Sequence, residues 1–325
     1  MSSSSSEASQ EEPKEPSESL YNRFLDAFEA SNTAQIRKLI DDGEITPAHA
    51  TWFLHDVQTE VGEQKLEVAR CLLEHGRADP RRCHVLFISR DYDMLKLFAD
   101  FGRDFKSDGH NILFKNTDDK AIIDLLLDQG VDPNKTVQND LIRGLKHGEI
   151  DENCQVLNAA AERGDVAIFD HLVSRGADPK RSIALHRAVL CKDYQASVRM
   201  INHLVDRYGF DVNAHDEANG LRRNIMTCFP DQGHPLRVAL MSGNVPAIEV
   251  LLARGADPTP PLPPTFNYDE AKMSVYMRTR AGRLLDKGVD PAVLYAAAER
   301  WGRKEAMELC NELMEKAREG RRPTE

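Results

Sequence analysis

The sequence predicts an all-α chain, a solenoid of about seven to eight stacked helix pairs over residues 20–318. Three observations predict it. First, His234–Pro258 reads as two short antiparallel helices joined by a turn. Leu236, Ala239 and Leu240 share one helix face, Gly243-Asn244 breaks the helix, and Ile248, Leu251 and Leu252 form an i, i+3, i+4 stripe on a second. Gly255 then falls where a left-handed C-cap is needed, and Asp257-Pro258 stops the helix. Second, the stripe and its glycine recur as Ile36, Leu39, Ile40, Gly43; Ala69, Leu72, Leu73, Gly76; Leu95, Phe98, Ala99, Gly102; and Ile123, Leu126, Leu127, Gly130. They return as Phe169, Leu172, Val173, Gly176; as Ile201, Leu204, Val205, Gly209 with one extra residue; and as Ala281, Leu284, Leu285, Gly288. Third, two helices of this size cannot bury an apolar face alone, so the copies must stack.

Adjacent glycines of the series lie 33, 26, 28, 46, 33, 46 and 33 residues apart. The turns read "GADP" at 176–179 and 255–258, "GVDP" at 130–133 and 288–291, and "YGFDVN" at 208–213, while Ala184-Leu185-His186-Arg187-Ala188 ends like a TPLHxA motif. On these residues the chain resembles the ankyrin repeat family, in degenerate form, over about nine-tenths of its length. The resemblance implies a right-handed stack and a role in binding other proteins. It also implies that His186 ties turn backbones together rather than serving catalysis.

Residues 1–19 are rich in Ser, Glu and Pro with no large apolar side chain after Met1, which predicts a disordered acidic tail. Ser9 and Ser17 have acids downstream, a context for phosphorylation, although a solubilising tail is the simpler reading. Tyr21, Phe24, Leu25 and Phe28 then give the first helix stripe, and Trp52 and Phe53 are expected in the core. Gln58–Lys65 is read as a polar joint, and Phe87, Ile88, Leu95, Leu97 and Phe98 as packing. An insertion near 134–155 is expected to hold a helix carrying Val137, Leu141, Ile142 and Leu145. Lys192–Ser197 reads as extra residues between two helices. A second insertion, 214–233, reads as a polar finger, and Thr259–Pro264 as extended. A polar capping pair closes the array before a frayed end at 319–325.

The formal charge of −11 opposes nonspecific nucleic-acid binding, which needs a basic surface. The six cysteines form no CxxC pair, Cys71 beside Leu72 reads as a small buried hydrophobe, and a reducing compartment is expected. No 18-residue apolar run and no signal-like start are present, so an intracellular, cytoplasmic or nuclear, location without membrane insertion is expected. Asn134-Lys135-Thr136 is a glycosylation sequon that this compartment would leave unused.

No nucleophile elbow, HExxH, P-loop or dinucleotide fingerprint occurs, so no catalytic, cofactor or metal residues are expected. Asp41-Asp42 and Asp118-Asp119 read as solvated helix ends, and Cys71, His75 and Cys83 do not have the spacing of a zinc module. The function expected is a monomeric scaffold or adaptor that binds another protein through repeat turns and first helices. A regulatory or inhibitory enzyme subunit is the alternative, and an enzyme with its site in the insertions is a third reading. Arg222, Arg223 and Phe229 in the finger, with Arg81 and Arg82 beside the Gly76 turn, are the candidate partner contacts, because Arg and aromatic side chains make interface hot spots.

Overall fold

The computed structural model describes residues 13–59, 62, 64–83, 90–107, 109–135, 154–215, 233–258, 281–300 and 302–319. Among the described residues all regular structure is helical, as expected, and there is no strand. The chain divides into two compact units, Met1–Asp132 and Pro133–Glu325.

In the first unit α1 (Glu18–Glu29) packs on α2 (Thr33–Asp41), and α3 (Pro47–Val57) packs on α4 (Gln64–Glu74). The next helix, α5 (Tyr92–Asp100), touches α4 and α7 (Lys120–Asp128), and α7 pairs with α6 (Gly109–Lys115). In the second unit α8 (Gln155–Arg163) pairs with α9 (Val166–Ser174), and α10 (Ala184–Ala188) with α11 (Tyr194–Tyr208). Then α12 (Pro235–Ser242) pairs with α13 (Val245–Ala253), and α14 (Pro291–Arg300) with α15 (Lys304–Glu319). Here first helices touch first helices, α8 to α10 to α12, and second helices touch second helices, α9 to α11 to α13.

The same local chemistry starts five of the second helices. Asn32, Asp91, Asp119, Asp165 and Asn244 each stand four residues before the first stripe residue, and their side chains accept from amide groups of the opening turn. At the far end the residue after the glycine donates back to the carbonyl of the second stripe residue: Val131 to Leu126, Ala177 to Leu172, Ala256 to Leu251. These three donors are buried, so the cap carries its own apolar contact. The glycines between have φ of 82° at Gly130, 101° at Gly176 and 92° at Gly255, the left-handed region expected of them.

The stripes supply the core. Their first two positions are buried in all eight copies, and Leu126, Leu172 and Leu251 are wholly enclosed. The third position is only half-buried in most copies, including Ile40, Leu127 and Val173. Trp52, expected inside, is half-buried: its ring lies edge-on to Tyr21 at 5.7 Å and to Phe53 at 5.5 Å, closing the margin of the cluster rather than its centre. On α15, Ala306 and Cys310 are buried while Lys304, Glu312, Glu315 and Lys316 are exposed, as a polar outer face requires.

Three expectations change. Helix α1 starts at Glu18, capped by the Ser17 hydroxyl. Pro16 is already buried, and the Lys14 amide donates to the Ala48 carbonyl, so order begins before Leu20. Gly76 is not the left-handed residue of its turn: Arg77 takes that conformation, at φ 54°. The turn holds one residue more than its counterparts, and Gly76 is needed for space, since a Cβ there would stand 2.7 Å from the Leu72 carbonyl oxygen and 2.8 Å from the Ala50 Cβ. Finally, Tyr194–Ser197 does not lie between helices: Asp193 caps α11, and Ala196 and Ser197 are buried within its first turn. The expected helix at 137–145, Phe87, Ile88, most of 214–233, Thr259–Pro264 and the end at 320–325 lie outside the described residues.

Two substitutions test this core. Leu251→Ala should lower unfolding free energy by about 2–5 kcal/mol in urea titration. Gly176→Ala should cost about 1 kcal/mol from backbone conformation alone, because a Cβ at that position meets nothing within 4 Å.

Candidate functional site: the turn edge

After several of the second helices the chain turns through a short segment that starts with Asp. The Asp79, Asp178, Asp211 and Asp290 carboxylates each accept from the amide two residues on, which rigidifies the turn locally. In the second unit two of these turns are tied to later ones by an asparagine. Asn134 donates from Nδ2 to the Gly176 carbonyl at 2.9 Å and accepts at Oδ1 from the Asp178 amide at 2.8 Å. Asn213 does the same to the Gly255 carbonyl at 3.0 Å and the Asp257 amide at 2.8 Å. The side-chain nitrogen that a glycan would need at the Asn134 sequon is therefore the donor of a tie.

His186 continues this edge. It is buried, its Nε2 lies 2.9 Å from the Gly233 carbonyl oxygen, and the ring also bonds to the backbone at Ala214. Burial pushes the imidazole down to about 4, with His234 and His215 adding to the effect against the two backbone bonds. His234 Nδ1 stands 2.6 Å from the Asn213 carbonyl oxygen, and the His215 and His234 rings meet edge-on at 5.4 Å.

In the first unit the expected contacts Arg81 and Arg82 do come together, on Asp79. Arg81 makes a two-pronged pair, Nε at 2.8 Å and Nη2 at 2.9 Å, and the Arg82 Nε lies 3.8 Å from the same carboxylate. The Arg81 bonds are the largest cause of the lowered Asp79 carboxyl pKa. Buried Arg103 holds the turn from beneath through the Pro80 and Arg81 carbonyls. The Arg81 side chain remains more than half exposed. Arg222, Arg223 and Phe229 lie outside the described residues.

One other polar cluster sits in the second unit. Asp170 Oδ1 accepts from Tyr208 at 2.6 Å and lies 2.7 Å from His203 Nε2, while Arg207 reaches Oδ2 at 3.4 Å. Burial would raise the Asp170 carboxyl, but the Tyr208 and His203 bonds outweigh it and keep the pKa below the usual range. Burial, then the bond to Asp170, push the Tyr208 hydroxyl up to about 12. His203 also lines an open hollow of about 560 Å³ with Arg163, Asp165, Asp193 and Arg199. Asp165 and Asp193 are helix caps there, and none of the residues lining the hollow is a Ser, Thr or Cys nucleophile. Burial pushes the Cys83 and Cys154 thiols up to about 12, far from thiolate chemistry.

The asparagine ties and the Asp170 cluster escaped the sequence reading. A signal for the ties exists: the "DPN" at 132–134 and "DVN" at 211–213 each precede a GADP turn at the same distance. No protein-family model matches the chain, and no curated protein matches it.

Asn213→Ala removes both bonds at a buried turn, so it should cost about 1–3 kcal/mol in urea titration. Asn213→Asp, which keeps the acceptor for the Asp257 amide, should cost less than Asn213→Ala. Arg81→Ala should leave the melting temperature unchanged.

Proposed function

We propose that this chain is a non-catalytic protein-binding module, an ankyrin-type helical solenoid that meets its partner through its turns and first helices. The observation that carries the reading is the use of the polar groups at the turn edge. Asn134, Asn213, His186 and Arg103 are spent on backbone groups of neighbouring turns, which leaves the intervening side chains free to differ without disturbing the core. The chain's resemblance to the ankyrin family supports the same reading through the spacing of its glycines and its GADP turns. Arg81 and Arg82 in one turn, with Arg222, Arg223 and Phe229 in the insertion, are the proposed contacts, and their charge suits an acidic partner surface. Scaffold or adaptor is the role preferred.

The test uses the full-length chain as bait in its native cell, alongside two charge reversals, Arg81→Glu with Arg82→Glu and Arg222→Glu with Arg223→Glu. The reading expects at least one partner that binds the purified chain directly and falls at least tenfold in one variant with its melting temperature intact. Direct partners captured equally by both variants would remove these arginines as contacts. The absence of any direct partner would overturn the binding reading itself.

A further inference from the structure

Two turns of the chain are built alike and both end in basic residues, Asp79-Pro80-Arg81-Arg82 and Asp178-Pro179-Lys180-Arg181. Each opens on an Asp in extended backbone, with φ −97° and ψ 103° at Asp79 and φ −95° and ψ 111° at Asp178. Each Asp carboxylate accepts from the amide two residues on, at 3.0 and 2.9 Å. One turn of 3-10 helix follows, closed by the Cys83 amide on the Pro80 carbonyl and by the Ser182 amide on the Pro179 carbonyl. What differs is the fate of the charge. In the first unit the Asp79 carboxylate also holds the Arg81 guanidinium in a two-pronged pair and has Arg82 at 3.8 Å, so part of the positive charge is met inside the turn. In the second unit Lys180 is exposed and makes no ion pair among the described residues.

A second ammonium stands beside it. The Asn134 side chain bonds to the Gly176 carbonyl and the Asp178 amide, which lays residues 134–135 against the 176–180 turn. Lys135, the next residue, is exposed and also makes no ion pair among the described residues. The scaffold beneath the two lysines is fixed at both ends. Beyond the Asn134 tie, the Ser182 hydroxyl donates to the Pro179 carbonyl at 2.8 Å and the Cys154 amide to the Arg181 carbonyl at 2.8 Å. A partner meeting these lysines therefore has no backbone to order, which removes part of the cost of binding.

We propose that Lys135 and Lys180, on the tied turns of the second unit, form a docking surface for an acidic protein segment, one that presents several carboxylates in succession. The proposal deepens the protein-binding reading and rests on it. Charge complementarity selects the partner. A short acidic stretch touches only this patch, and charges beyond about 10 Å are screened at ordinary salt. A nucleic acid has no such freedom: its affinity comes from many phosphate contacts, and a chain of formal charge −11 repels an extended polyanion.

The test is fluorescence anisotropy of a labelled octaglutamate peptide with the purified full-length chain. Saturable binding that weakens as salt rises from about 50 to about 300 mM is expected. An exposed ion pair is worth at most about fivefold in affinity, and charge reversal at two positions replaces attraction by repulsion, so Lys135→Glu with Lys180→Glu should weaken binding about tenfold or more. Arg81→Glu with Arg82→Glu should weaken it about threefold or less, because Asp79 already meets part of that charge. Should the lysine reversal lower the melting temperature, Lys135→Gln with Lys180→Gln decides, with a loss of about threefold or more expected. No saturable binding, equal binding by the lysine variant that keeps its melting temperature, or equally tight binding of a single-stranded oligonucleotide of matching charge would each overturn this surface. Direct partners captured by the full-length bait in the face of such a result would leave the binding reading standing, so the two failures are told apart.

Discussion

A backbone turn that is buried must find partners for its polar groups, and in the second unit that constraint is met from a distance. The Gly255 carbonyl and the Asp257 amide lie in a closed-off turn, and one side chain, Asn213, satisfies both. Losing that side chain would break two bonds at once, at a cost of about 1–3 kcal/mol. Asn134 meets the same demand at Gly176 and Asp178, and His186 meets a related one at Gly233. Caps and stripes specify where each helix runs, and packing stabilises it. What sets one turn relative to another is this handful of directed bonds.

The second helices are linked differently. Arg254, at the end of α13, reaches α11 through Asn202 at 2.8 Å and through Asp206. His203 and Tyr208 of α11 reach α9 through Asp170. Asp206 is exposed, so its bridge contributes little in salt and water. Beneath these links lie Phe169, Leu172, Ile201, Leu204, Ile248 and Leu251, all enclosed. Burial of that kind is worth about 1.5–3 kcal/mol per side chain, several times an exposed ion pair. Apolar contact therefore supplies the cohesion of this face, and the polar links select its register.

The helices were legible because periodicity is a local property. A stripe of i, i+3 and i+4 positions with a glycine after it can be read within ten residues, and Leu126, Leu172 and Leu251 lie where that pattern puts them. Boundaries were less legible. The pattern sees no difference between Ser17 as tail and Ser17 as cap, because what decides is a hydroxyl bonded to the Leu20 amide. The candidate site was legible only in part. Arg81 and Arg82 could be found as a cluster, but their pairing on Asp79 could not, since a carboxylate in a turn can face outward or back onto the chain. The ties of Asn134 and Asn213 join turns whole repeats apart, and no single window of sequence contains both ends.

Where extra residues enter, the helix period decides how they are absorbed. An α-helix advances about 100° per residue, so a single added residue would swing an apolar stripe a quarter-turn and more away from its partner. The one extra residue after Leu72 accordingly stays out of α4: it sits in the turn, where Arg77 takes over the left-handed conformation that glycine has elsewhere. Four added residues turn the stripe through about 400°, a net error of only about 40°. That is what α11 contains. From cap to first stripe residue there are four steps in Asp165–Phe169 and eight in Asp193–Ile201, and the additional turn is helical and buried at Ala196 and Ser197. Its Ser197 hydroxyl donates to the Ala188 carbonyl and accepts from Asn244, so the inserted turn also bonds to the following pair. A length change near a whole turn can thus join a packed helix, whereas the single extra residue after Leu72 is kept in its turn.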